Sequence, residues 1–179
     1  SAGLIRKLFR GDILTWDEAG FPDFDETVRP AGRLHCKARP GHWRLILDNE
    51  DLFSPELEEV GSIPDMLINV SSLKGAIGHV ATWNIHKYAD RWRVKTLEID
   101  GISAFDRKAL KEGRYPFYRA YNITAWEAGT ARKKLAKDLL DYLLEHAAEI
   151  DERFSMVPAQ ELKAAGWQFV GTELVGEPE

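Results

Sequence analysis

The sequence predicts an α/β fold, and three observations carry the prediction. Segments with helical hydrophobic spacing alternate along the chain with short apolar or β-prone segments, the order that builds sheets covered by helices. The composition is that of an ordinary globular chain, 44% hydrophobic, 30% charged and 11% aromatic, which argues against disorder. The 179 residues suffice for one domain or two small lobes, enough to bury about 70% of the surface of the unfolded chain.

The elements follow in order. In LIRKLF, Leu4, Ile5, Leu8 and Phe9 share one side of a short helix, and Gly11 stops it. An acidic loop comes next, with Trp16 and Pro22. TVRPAGR (27–33) reads as an extended segment weakened by Pro30, and PGHWRLILDN as a helix that starts at Pro40. FSPELEEVGSIPDMLINVSS carries two helix-start signals, Ser54-Pro55 and Ser62-Ile63-Pro64-Asp65, the second with the spacing of a capping box. GAIGHVAT (75–82) and RVKTLEID (93–100) read as strands, and RYPFYRAYNITAW (114–126) is aromatic and β-prone. From Thr130 the spacing turns helical. Leu135, Leu139, Leu143, Ala147 and Ile150 mark one face of a long amphipathic helix. A last helix runs from Pro158 to Gly166, followed by a short strand.

Charge is the most informative feature. The chain carries a net charge of -5, which argues against a general nucleic-acid partner, since that would need a positive footprint. Yet residues 29–47, RPAGRLHCKARPGHWRLIL, hold five Lys or Arg, two His and no Asp or Glu. Arg33, Lys37 and Arg39 fall in a Gly/Pro-containing loop ahead of a predicted helix start. Such a start offers free N–H groups and a partial positive charge, and arginine adds a planar fork suited to two oxygens of an oxyanion. The stretch therefore reads as an anion pocket, with His42 assisting. Carboxylates there would pair with the cations and repel the ligand. The plainer alternative is a solvated basic patch, or cations paired with the acidic residues of 17–26; Arg29 and Arg44 belong to that class.

Other chemistry is poorly supported. Cys36 is the only cysteine, so no intrachain disulfide forms, and Cys36-x5-His42 is not a structural zinc spacing. No metal, cofactor or catalytic residue is expected. Ser71 and Ser72 read as a helix end, and Asp100 and Asp106 as turn residues. Gly75-x-x-Gly78 is too sparse for a phosphate loop. No apolar run approaches the about 20 residues of a membrane helix, and SAGLIRKLFRGD lacks the apolar core of a signal peptide.

Five segments in order resemble one family. LFRGDILTWDEAG (8–20) matches the pattern IF-x-G-x-I-x-x-W through Phe9, Gly11, Ile13 and Trp16. KGAIGHV (74–80) answers p-G-A-I-G-Y-V, with His79 for Tyr. VKTLEIDG (94–101) is a segment ending in IDG, GRYPFYR (113–119) answers G-x-Y-P-L-x-R, and FSMVPAQ (154–160) stands in for a G-x-V-P tail. The chain thus resembles the phosphate-type (type 2) periplasmic substrate-binding proteins of bacterial ABC importers, over the C-terminal two thirds of that family's pattern. The resemblance implies an α/β binding-protein lobe, a mixed sheet flanked by helices, over residues 1–115. Residues 116–179 would be the return segment and C-terminal helices of an incomplete other lobe.

The resemblance also implies a bound oxyanion of the phosphate, sulfate, molybdate or tungstate class, a permease partner, no enzymatic activity, and a periplasmic or extracellular location. Two departures accompany it. Nothing in the chain answers the family's opening segment. With the family's ligand-loop Arg aligned on Arg33, its Ser-Gly-Thr run becomes Lys37, Ala38 and Arg39, so hydroxyl donors are replaced by cations. The alternative function is a single-lobe sensor or interaction module that has lost solute capture and self-associates, for instance by strand addition at 116–126.

Overall fold

The hydrophobic stripe of LIRKLF folds as expected. In the computed structural model, helix α1 spans Ala2–Arg10 and buries Leu8 and Phe9. The Ser1 hydroxyl accepts from Leu4 N at 3.2 Å, and Gly11 closes the helix in the left-handed region at φ 78°. The structure describes residues 1–33, 46–47, 52–88, 90–124, 131–150 and 152–178. They fall into two units, Ser1–Ala104 and Phe105–Glu179.

The first unit is built on a three-stranded parallel sheet. Strand β1 (Arg29–Gly32) lies between β2 (Glu58–Glu59) and β3 (Ala76–Ile77). Ala31 pairs with Glu58 in register and Pro30 with Ile77. A proline inside a central strand needs a reason, because it cannot donate to the ladder. Here Arg29 N donates to Gly75 O on the β3 side at 3.0 Å, and Gly32 O accepts from Val60 N on the β2 side at 2.8 Å. Period-two alternation therefore turns the Pro30 nitrogen toward β2, at a level where β2 has not yet begun.

The same alternation sorts the core. Val28 and Ile77 turn to one face, where they pack with Leu8, Phe9, Ile46 and Leu47. Ala31 and Val60 turn to the other, against Met66, with Val70 and Val80 partly buried around them. Met66 and Val70 belong to α2 (Ile63–Ser72). Gly78 extends the second face, and a Cβ there would lie 2.4 Å from the Met66 sulfur. The unit is thus a helix–sheet–helix sandwich, with a short helix α3 (Thr82–Tyr88) after β3.

Several sequence expectations are corrected here. Of the two helix-start signals only the second makes a helix: Ser62 caps α2, accepting from Asp65 N at 3.2 Å and donating to Asp65 Oδ2 at 2.6 Å. Ser54-Pro55 instead forms a turn. Ser54 N donates to Phe9 O at 2.8 Å, Ser54 Oγ accepts from Glu56 N, and Glu58–Glu59 then join β1 as a strand. The segment 75–82 contributes only two strand residues, Ala76 and Ile77. RVKTLEID forms no strand; its single ladder contact is a bridge between Ile99 and Ile102 around the turn at Asp100 (φ 53°) and Gly101 (φ 76°). The Ser71 and Ser72 expectation holds, and Asp100 and Asp106 act in turn and cap geometry as read. The helix expected from Pro40 lies largely outside the described residues.

The second unit contains α4 (Arg107–Lys111), α5 (Ala131–Glu145), two 3-10 turns, α6 (Ala159–Ala164) and an antiparallel pair, β4 (Gln168–Val170) with β5 (Glu173–Gly176). Asp106 caps α4, its carboxylate accepting from Ala109 N at 2.9 Å. The last helix, its end at Gly166 (φ 92°) and the following strand match the sequence reading. RYPFYRAYNITAW forms no strand over its described residues, 114–124. Only β4 and β5 pair in this unit among the described residues, so a β-prone segment without a partner stays irregular. Ser155 is held at φ 50°, and its buried hydroxyl has no hydrogen-bond partner.

Trp167 is the centre of this unit. It is 4% exposed, its indole N–H donates to Lys111 O at 2.7 Å, and Tyr118 meets it edge-on at 5.0 Å. Burial, and then the hydrogen bond and charge of Glu177, push the Tyr118 hydroxyl up to about 12 from the ordinary 10.0. Burial also raises Tyr115. Between those two values the unfolded chain has lost the Tyr118 proton and the folded chain still holds it, so stability falls as pH rises through that window. Melting temperature followed from neutral to strongly alkaline pH should drop there, and Tyr118→Phe should flatten part of the slope. An unchanged slope in that variant would remove Tyr118 as its source.

Candidate functional site

All three strands of the sheet are parallel, so their carboxyl ends share one edge. In open α/β sheets that edge is where ligands bind, because chain turns and helix starts converge there. Four residues follow the strand ends along the chain. Arg33 directly follows Gly32, the last residue of central β1, and is half-buried with its Nε shielded from solvent. Ser62 opens α2 after β2. His79 follows β3, with its ring edge-on to Phe9 at 6.0 Å. Asn84 is buried in the first turn of α3.

The electrostatics of this edge are uneven. The start of α2 is already served by its own residues, since Ser62 and Asp65 bond to each other and Asp65 brings a carboxylate into the first turn. That helix start therefore repels an anion more than it attracts one. Glu58 on β2 accepts a hydrogen bond from Asn69 Nδ2 of α2. Arg33 is the cation that directly follows the central strand, and a guanidinium is a planar fork of donors that matches the geometry of oxyanions.

Of the four residues expected to hold an anion, Arg33 is placed at this edge, and Lys37, Arg39 and His42 lie outside the described residues, as do His35 and Cys36. Reasoning from the basic stretch did not nominate His79 or Asn84. A signal for His79 existed in KGAIGHV, where an ionisable ring stands at the end of an apolar strand. Among the described residues, no group of three or more His, Cys, Asp or Glu is arranged to hold a metal ion, and no helix is long and apolar enough to cross a membrane.

Trp16 and Gly75 tie the acidic loop to the opposite end of the sheet. The Trp16 indole donates to Gly75 O at 2.9 Å, the carbonyl that also accepts from Arg29 N. Gly75 is at φ 74°, and a Cβ there would lie 2.2 Å from Thr27 O. Gly75 and Gly78 thus both stand where backbone or side chains pack closely. Compared with protein-family models, curated proteins and solved structures, the chain matches none. The mixed α/β class rests on the architecture itself.

Proposed function

We propose that this protein binds a small oxyanion of the phosphate, sulfate, molybdate or tungstate class at the carboxyl edge of its parallel sheet. It would deliver that anion to an ABC importer permease, in the periplasm or outside the cell, without catalysing a reaction. The observation that carries the reading is the position of Arg33 at the end of the central strand, where ligands of open parallel sheets are held. The order of the five family-like segments supports it. Lys37, Arg39 and His42 follow Arg33 in the chain and would complete the contacts.

The test is thermal unfolding with each anion, and with small carboxylates, at low and moderate ionic strength. A ligand at 100 times its dissociation constant stabilises by about 2.7 kcal/mol, so a specific site gives a clear shift that survives moderate salt. Arg33→Ala should then weaken binding by about 1–3 kcal/mol, or roughly 5–150-fold. Wild-type affinity in that variant removes Arg33 from the site. Absence of a shift with every anion favours the second reading, an interaction module without solute capture. The exposed side chains of Tyr121 and Ile123 support that reading.

A further inference from the structure

Helix α5 (Ala131–Glu145) has the apolar stripe of a core helix, and among the described residues no core buries it. Leu135 is 70% exposed, Leu139 57% and Tyr142 57%, and Leu143 and Leu144 are exposed too. Among the described residues, the 3-10 turn Ala147–Glu149 is the one element that packs closely on it. Leu135, Leu139, Tyr142 and His146 recur at intervals of four, three and four residues. That is the seam spacing of a helix that packs along another helix.

The charges on α5 run the wrong way for a helix alone. The helix opens on the sequence ARKK, with no acid in its first turn, and closes on DYLLE, with no base in its last. A helix dipole favours the opposite order, acids first and bases last. The pairs Lys134–Asp138 at 2.8 Å and Lys137–Asp141 at 2.6 Å are exposed and also run base-before-acid, the weaker orientation. An antiparallel helix of the same sequence removes the conflict. It lays the basic half of one copy along the acidic half of the other, twice, by symmetry, and covers both leucine stripes.

We propose that α5 is a self-association surface, which pairs antiparallel with α5 of a second copy of this chain in an isologous two-fold contact. At 15 residues the helix is about 22 Å long, so the contact is short and the dimer concentration-dependent. The proposal does not rest on anion binding at Arg33 and stands or falls separately from it.

The test is sedimentation of the whole chain across micromolar to millimolar concentration. Mass should rise toward twice 20.3 kDa, and Leu139→Arg should hold the chain at the monomer mass with an unchanged far-ultraviolet spectrum. Two charge variants test the pairing without touching the apolar stripe. K134E/K137E makes the helix largely acidic and D138K/D141K makes it largely basic. Each alone should dimerise at least tenfold more weakly than wild type, and their equimolar mixture should restore the dimer. A monomer at every concentration, a dimer indifferent to Leu139→Arg, or a mixture no better than its parts would overturn the proposal. So would a chain that stays monomeric and instead co-sediments with phosphatidylserine-containing vesicles through α5.

Discussion

Trp167→Ala is expected to unfold the second unit while leaving the first in place. Removing a buried tryptophan costs about 3–5 kcal/mol, and here the loss also orphans the Lys111 carbonyl that the indole N–H serves and strips Tyr118 of its ring partner. Ala109, Pro158 and Trp167 are the buried apolar residues of this unit among those described, and Trp167 is much the largest, so little else can compensate. Hydrogen exchange should show protection lost across 105–178 and kept at β1 and its neighbours. Uniform loss over both units would show instead that they unfold as one, and retained protection at 105–178 would show that Trp167 is dispensable.

Gly75→Val is expected to cost the first unit roughly 3 kcal/mol or more. Two terms add. A branched side chain at positive φ is strained by about 1–3 kcal/mol, and forcing atoms into filled space typically costs about 1–3 kcal/mol. The space is filled by backbone, the Thr27 carbonyl, which cannot swing aside as a side chain would. Relief requires β1 and β3 to separate where Arg29 N and the Trp16 indole both bond Gly75 O. Urea unfolding measures the loss, and a fall in Trp16 burial should accompany it. A variant as stable as wild type would mean that the segment before β3 moves freely, which the double hydrogen bond argues against.

Local signals were legible in the sequence wherever the physics is local. The α1 stripe and its glycine stop, the Ser62 cap with Pro64 behind it, and the Pro158-to-Gly166 helix depend on neighbours within a turn. Strands failed where the partner decides. RVKTLEID and RYPFYRAYNITAW have β-prone composition, but a strand exists only if another lies beside it, and propensity does not specify that. The two serine–proline signals differ for the same reason. Ser54 is captured by Phe9 O and by the pairing of Glu58–Glu59 with β1, contacts about 27 to 45 residues away in sequence that no local window contains.

Of the candidate site, Arg33 alone among the four residues read from the sequence lies within the described residues. The charge contrast between residues 29–47 and the rest pointed to Arg33, and the structure places that residue directly after the central strand. The conversion of the α2 start into a self-capped, acid-bearing turn could be read from Ser62 and Asp65, but its bearing on anion binding needed the sheet edge. The long helix was legible as a helix. That its apolar face would lie open was not, because amphipathic spacing announces a buried face without naming what buries it.

Ser155 shows that this chain is not tuned to its limit. A non-glycine residue at φ 50° and a buried hydroxyl without a partner are two separate burdens at one position, and glycine would relieve both. Natural chains retain such burdens when selection asks only that stability clear a threshold. The residue is therefore a reserve of evolvability: a single exchange there would raise the ceiling on how many destabilising changes the rest of the unit could absorb while acquiring a new surface or ligand.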